Sequence, residues 1–426
     1  MSDDRWLRWG FMHEQTGRAA VFYYRDRHKP RQRPRRAVEQ TPAVPSVGEI
    51  AAAENLLRVY YQLQARAGAA PGADGLTYAA LARREVPGLM RVLSRELNGG
   101  SYRPRPGRKV PVPKAGGGHR TLTLRDLCDR VVASALNTAL VPVWETVFHP
   151  ASMAFRPRRG VWRMLAELER VVAGQGRWLL ATDDVRKAFD NVAVDDVMDD
   201  HRRHVKDDAL LRLVEAVLRG SADEARERGI DQGSADSPAA LNLLLHHRLD
   251  LGFTGVDPPW FRYADNLVYL CREAAEGDRA LAKAGQLLGQ VGLELKGEDG
   301  PPRDLWKGEK AQLLGFSLVR QEGRLRFDLG EQAWEKLNRA LVRANESTDP
   351  PRTAGTAIEG WAGGYAPAFE SLRGEDLDRI LRTATQNGFR ESCSPGELRR
   401  WCRDAWGNWR AFRERAQQNH RPERKP

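Results

Sequence analysis

Cysteine is scarce in this chain. Four residues in 426 (Cys128, Cys271, Cys393 and Cys402) show no metal-ligand spacing, so neither a disulfide framework nor a zinc site is expected. Long apolar runs are missing too. No stretch approaches the roughly 18 apolar residues a membrane span needs. The opening MSDDRWLRWG carries two Asp and two Arg and lacks the apolar core of a secretory leader. The expectation is a soluble, cytoplasmic protein. Internal repeats and long low-complexity segments are also lacking. What is in excess is positive charge: 68 Lys and Arg against 57 Asp and Glu leave a net +11. Arginine dominates that set, which suits bidentate contact with phosphate and predicts a polyanionic partner. The length leaves room for several cores, in more than one domain or in one multi-lobed fold.

Residues 1–45 stand apart. Aromatics (Trp6, Trp9, Phe11, Phe22, Tyr23, Tyr24) precede a basic run of seven cations: Arg25, Arg27, Lys29, Arg31, Arg33, Arg35 and Arg36. Such an arm either stacks on bases while its cations hold phosphates, or packs on the body ahead of a solvated linker. A linker needs no such clustering, and the arm is expected to grip a structured RNA.

Beyond TPAVPS, Ser46 and Glu49 form a capping-box pattern that opens a helix to about residue 66. A Gly/Pro loop and a helix to about Asn98 follow. GRKVPVPKAGGGHRTLTL reads as two short strands around a glycine-rich turn. Leu127, Val131, Leu136 and Leu140 have helical spacing. RWLLATDDV is a buried strand ending in acid. SPAALNLLLHHRL starts a helix with Ser237 as cap and Pro238 in the first turn. FRYADNLVYL reads as a hairpin with a polar tip. LLGFSLV and RLRFDL are two further strands, and the remainder from about 331 is helical. Strands and helices interleave without a βαβ period, so the class is α+β.

Two carboxylate sites stand out: Asp183 and Asp184 at a strand end, and Asp265 at the hairpin tip. Concentrated negative charge in a basic chain is what a Mg²⁺ site for phosphoryl transfer requires. Mg²⁺ takes one or two carboxylates plus substrate phosphates and water. Two such ions clamp the attacking and leaving oxygens of an in-line displacement.

An ordered series of blocks then carries a resemblance. GAAPGADGLT, YRPRPGRKVPVPKAGGGHRTLTL, DRVVASAL, MAFRPRRG, DDVRKAFDN, DQGSADSPAALN, YADN, GLELK and LLGF follow one another between about residues 65 and 320. The series resembles group II intron-type reverse transcriptases, including the group II-like and unknown-group lineages associated with defence. The resemblance implies a right-hand fold. It would place a basic arm at 1–45, a helical extension at 46–105, fingers at 106–180, palm and primer grip at 181–330, and a helical thumb and tail at 331–426. It implies two Mg²⁺ ions (or Mn²⁺), a structured RNA, a DNA or RNA primer and deoxynucleoside triphosphates.

Residue by residue, the resemblance makes Asp184 and Asp265 the metal-binding carboxylates, with the Val185 carbonyl a further ligand. Asp183 is an extra acid, either supporting or merely exposed. Lys114 and Arg120 match triphosphate contacts, where cations neutralise the leaving pyrophosphate. Gln232 and Gly233 match the loop under the template–nucleotide pair, although Asp231 stands where the family usually has proline, which puts that loop's stiffness in doubt. Asn242, on the following helix, reads as structural. Phe189, read as part of a strand, resembles the steric gate against a ribose 2′-hydroxyl. Tyr263 would hold the primer end, and Leu314, Gly315 and Phe316 resemble the primer grip. Lys296 would be a general acid for pyrophosphate, though KGEDGPPRDLWKGEK breaks the family's spacing there.

The family usually carries two aspartates at the hairpin tip; here the pair is Asp265–Asn266. Asparagine keeps a carbonyl oxygen and loses the charge. A decayed palm would also have lost Asp184, Lys114, Arg120 and Phe189, and all are present. AIEGWAGGYAPAFESL resembles the thumb or maturase segment. Three readings follow: a reverse transcriptase working with a noncoding RNA in antiphage defence, a compact intron-encoded reverse transcriptase and maturase, or an inactive RNA-binding scaffold. The departures from the family's pattern favour the first.

Overall fold

The computed structural model describes residues 42–65, 70–113, 118–221, 225–370 and 372–418. Residues 1–41 of the basic arm, with all seven of its cations, and Lys114 lie outside the described residues. The chain opens with α1 (Val47–Ala51) and α2 (Ala53–Gln64), followed by α3 (Val86–Asn98). The capping box forms as expected: the Ser46 hydroxyl accepts from the Glu49 N–H and the Glu49 carboxylate accepts from the Ser46 N–H. The single helix expected to residue 66 is instead broken at Ala52, whose φ/ψ of −53/130° leaves the helical region. The Asn55 side chain takes up the Ile50 carbonyl that the break strands, at 2.7 Å.

Next comes an antiparallel hairpin of β1 (Arg108–Pro113) and β2 (His119–Leu124). Two long helices follow, α4 (Leu127–Val147) and α5 (Val161–Gln175), then β3 (Leu179–Asp184) and the one-turn α6 (Ala188–Asn191). Phe189 therefore sits on a helical turn and not on a strand, because the chain bends at Lys187, in the left-handed region at φ 46°. Helices α7 (Val194–His204), α8 (Asp208–Arg219) and α9 (Ser237–Arg248) come next. Ser237 is the first residue of α9 and not its cap; Asp236 holds the cap position, and Pro238 lies in the first turn.

The hairpin of β4 (Trp260–Tyr263) and β5 (Asn266–Cys271) leads to α10 (Ala274–Gly289). With β3 and the short β6 (Arg303–Asp304) it makes a four-stranded sheet in the order β4-β5-β3-β6, antiparallel at every pairing. Helices α5 and α10 pack on it. Gly277 lets α10 approach closely, since a Cβ there would lie 2.7 Å from that of Ala181. The segment whose spacing departs from the family is what supplies edge strand β6.

A second antiparallel sheet holds β7 (Ala311–Leu313), β8 (Phe316–Gln321) and β9 (Arg324–Leu329). LLGFSLV thus begins at a tight turn and runs into β8 from Phe316: Leu314 and Gly315 both have positive φ, 53° and 89°, as the turn of a two-residue hairpin requires. Four α-helices close the described residues: α11 (Glu331–Ala344), α12 (Pro350–Gly364), α13 (Gly374–Gln386) and α14 (Pro395–Gln418). Trp334 of α11, Trp361 of α12, and Tyr365 and Phe369 just beyond it form one aromatic cluster, and Phe316 ties that cluster to β8 through Tyr365. The buried apolar side chains form one continuous core.

Candidate active site

Strand β3 is apolar until it emerges at Asp183 and Asp184, and the β4–β5 hairpin turns beside it. Asp184 pairs in register with Asn266, and the Val185 N–H donates to the Asp265 carbonyl at 3.0 Å. The two acids that the sequence places 81 residues apart therefore meet at one sheet end. The hairpin tip is Ala264–Asp265, with Ala264 in the left-handed region at φ 56°. Burial and the neighbouring Asp184 carboxylate push the Asp265 carboxyl up to about 7.

Lys296 reaches Asp184: its ammonium donates to Asp184 Oδ2 at 2.5 Å, and its N–H to the Asp184 carbonyl at 2.8 Å. Burial opposes charging of this amine, but the bond to Asp184 and the charges of Asp184 and Asp265 hold its pKa above the ordinary value. Asp184 Oδ1 is buried and makes no hydrogen bond. Two repelling carboxylates with one open buried oxygen suit a hard cation. Among the described residues no group of three or more His, Cys, Asp and Glu is placed to hold a metal ion by itself. The protein's share would be Asp184, Asp265 and the Val185 carbonyl, as Mg²⁺ bound chiefly through substrate phosphates needs. Such an ion would supply Lewis-acid stabilisation of developing negative charge.

Asp183 is buried, which removes the reading of it as a merely exposed acid. It accepts from the Asp184 N–H at 2.7 Å and, through both oxygens, from the Gly297 N–H at 3.1 Å. Thr182 reaches Asp299 at 2.7 Å, so the segment after Lys296 is pinned alongside β3. Asn266 turns its amide inward, donating to Asp265 Oδ1 at 3.3 Å and to the Tyr263 carbonyl at 3.4 Å. Tyr263 and Phe189 are half-buried. The Phe189 carbonyl holds the Ile230 N–H, which ties the candidate gate to the loop before Gln232.

That loop is anchored without proline. Asp231 is buried between Arg125, at 2.8 Å, and Arg226. Burial raises its pKa, but the two arginines outweigh that and hold it below the ordinary value. The Gln232 carbonyl accepts from Thr123 and its amide donates to Asp190 at 3.0 Å, while Gly233 takes φ 107°. Arg120 stands on β2 opposite Val112. Gly315 lies against the end of α12: a Cβ there would fall 2.5 Å from Tyr365 Oη.

A buried network missed at the sequence level supports the tip. Arg262 is fully enclosed and grips Asp250 with two prongs, at 2.8 and 2.6 Å. Its third arm donates to the Asn242 side chain and to the Ala264 carbonyl, each at 2.8 Å. Asn242 in turn donates to the Ala154 carbonyl at 2.9 Å, so its structural reading holds and gains a partner. The only signal in the sequence was a charge in an otherwise apolar strand.

A two-carboxylate sheet end, a basic hairpin, a turn packed on helices and an α+β body together define a right-hand polymerase fold. The reverse transcriptase (RNA-dependent DNA polymerase) family matches residues 112–298, and that domain belongs to it. Curated relatives include YkfC of Escherichia coli, 34% identical over 185 residues, 41% of this chain and 48% of that protein. Group II intron-encoded protein LtrA of Lactococcus lactis subsp. cremoris is 26% identical over 163 residues, 37% of this chain and 27% of its own. An uncharacterised 91 kDa protein in the cob intron of Schizosaccharomyces pombe is 31% identical over 146 residues, 33% of this chain and 18% of its own. The chain thus spans less than half the length of these relatives. Among solved structures, telomerase from Candida albicans overlaps with a TM-score of 0.41 at 11% identity, over 74% of this chain and 66% of that one. The resemblance to group II intron-type enzymes is borne out. No described helix is long and apolar enough to cross a membrane.

Proposed function

We infer that this protein is an RNA-directed DNA polymerase that works in the cytoplasm with a structured noncoding RNA, as template or partner, in antiphage defence. The observation that carries the catalytic reading is the meeting of Asp184 and Asp265 at one sheet end, where Asp184 pairs with Asn266 and the Val185 N–H bonds the Asp265 carbonyl, with Asp184 Oδ1 buried and unbonded. Asp184 and Asp265 hold the site's Mg²⁺ or Mn²⁺, and Arg120, with Lys114 from outside the described residues, meets the incoming triphosphate. Gln232 and Gly233 lie under the templating pair, Phe189 excludes the 2′-hydroxyl, and Tyr263 with Leu314, Gly315 and Phe316 holds the primer. Lys296 is the candidate proton donor to pyrophosphate, a reading supported by its bond to Asp184. An inactive scaffold is disfavoured, because two departures from the family's pattern are built into the fold: Asp231 by two arginines, the segment after Lys296 by an edge strand.

Asp184→Ala or Asp265→Ala is expected to abolish metal-dependent DNA synthesis and leave RNA binding intact, since ligands stabilise the transition state while the basic surface holds the template. Wild-type synthesis by Asp265→Ala would show the palm assignment to be wrong. Sequencing RNA that co-purifies with the full chain tests the biology. A small structured noncoding RNA, lost on deleting residues 1–40, is expected. The similarity to LtrA favours the second reading, a compact intron-encoded reverse transcriptase and maturase, and recovery of an intron would support it.

A further inference from the structure

The most exposed large apolar side chain among the described residues is Trp306, at 59%. It belongs to KGEDGPPRDLWKGEK, the segment that departs from the family's spacing, and the polymerase reading gives it no task. Asp304 shapes its turn by accepting from the Trp306 and Lys307 N–H groups at 3.0 and 3.3 Å, and Gly308 ends the turn at φ 87°. The Leu305 N–H donates to the Trp178 carbonyl at 3.0 Å, which sets the turn against the start of β3. There the Trp178 and Trp306 rings meet edge to face, with centroids 6.0 Å apart.

Strand β8 adds a cation to the pair. The Arg320 guanidinium lies 3.7 Å from the centroid of the Trp306 ring and 5.5 Å from that of Trp178. Its Nε is buried without a hydrogen-bond partner, and among the described residues its side chain joins no ion pair. Attraction to the ring faces is what such a stacked guanidinium gains. Arg320 covers one face of Trp306, so an exposure of 59% leaves the other face to solvent.

The core of a protein-docking surface is depleted of charge. Trp306 has the opposite surroundings: Arg303, Lys307, Glu309 and Lys310 are all exposed on its own segment. The segment's acids serve the turn's backbone, Asp304 as above and Glu309 by accepting from the Asp304 N–H at 2.9 Å. An open indole face beside cations suits single-stranded nucleic acid, whose bases stack on aromatics while its phosphates meet Lys and Arg. The stack is also remote from the chemistry. Trp178 lies six positions before Asp184 along an extended chain, roughly 20 Å away. Arg320 stands toward the end of β8 away from the Leu314–Gly315 turn.

We propose that Trp306, backed by Arg320 and Trp178, is a stacking site for an unpaired base of single-stranded RNA outside the polymerase cleft, with Lys307 and Lys310 on the adjoining phosphates. That this RNA is the noncoding partner rests on the function proposed above.

The test uses the full chain with its cleft saturated by a blunt primer–template duplex. A short photoreactive oligoadenylate is cross-linked to it, and the cross-linked peptides are mapped. Unlabelled oligoadenylate and an abasic chain of the same length then compete at the peptide carrying Trp306. In the wild type that peptide is labelled, and oligoadenylate competes about tenfold better than the abasic chain. Trp306→Ala is expected to erase that difference and Trp306→Tyr to keep it, with primer extension on a generic template unchanged in both. Absence of a cross-link at this peptide overturns the proposal. Equal competition by the two chains in the wild type also overturns it, as the mark of surface charge alone. A lower melting temperature in Trp306→Ala with competition unchanged does the same, since the stack would then only staple β8 to the turn. The readout is binding, so the two readings fail separately: a labelled site in a chain that never synthesises DNA keeps the site and removes the polymerase, and synthesis without labelling does the reverse.

Discussion

Arg262 and Asp250 form a two-pronged ion pair, both side chains fully enclosed, and the same guanidinium holds the carbonyl of Ala264, the residue before Asp265. A charge on an inward-facing position of β4 is costly unless paired and hydrogen-bonded, and here it is both. The hairpin tip is thereby held from below at the point where its backbone turns through a positive φ.

Removing one partner leaves an uncompensated buried charge. Arg262→Gln or Asp250→Asn is expected to destabilise the protein by about 3–5 kcal/mol, read from urea unfolding. The paired change Arg262→Met/Asp250→Leu should recover much of that stability yet not the activity, because nothing then holds Ala264. Full activity in the paired variant would show that the network serves stability alone.

Asn266→Asp exchanges an amide that donates to Asp265 for a carboxylate beside two others. Added ligand charge tightens binding of a hard cation. Synthesis at saturating Mg²⁺ is expected to be retained or raised, and half-saturation to shift to lower Mg²⁺. A Mg²⁺ titration of primer extension checks both, and loss of synthesis would contradict the reading of the site as tolerant.

Phe189 is half-buried on its helical turn, packed against the core. Phe189→Ala should admit ribonucleotides by removing the wall that the 2′-hydroxyl would strike, with deoxynucleotide use little changed. Primer extension with each nucleotide set separates the effects. Equal use of ribonucleotides by the wild type would point to an RNA polymerase.

The pH dependence of stability should show a histidine contribution. His246 and His247 pack together near His204, with His204 and His247 nitrogens 2.8 Å apart. Burial first, and then neighbouring cationic groups, push His246 and His247 down to about 4. Their folded pKa lies below the ordinary 6.5, so the unfolded chain binds protons first as the pH falls. Their contribution is complete above about pH 6.5 and is lost between there and about pH 4. His247→Gln should flatten the fall in melting temperature across that window, and an unchanged slope would argue against it.

Local pattern alone determined the carboxylate strand, the hairpin around Asp265, the β1–β2 pair, the capping box at Ser46 and the helical C-terminal region. Each rests on alternation, helical spacing or turn chemistry within a few residues, so no distant partner was needed to read it. The ordered blocks extended that to the family and its fold. Only the tertiary structure decided how the departures are accommodated. Asp231 finds Arg125 across 106 positions, and Lys296 finds Asp184 across 112. Arg262 is held by residues from α9 and the turn after it. A charge in a sequence window carries no mark of which opposite charge will meet it once the chain is folded. Burial then makes that pairing obligatory, since an unpaired ion in the core costs far more than one in water.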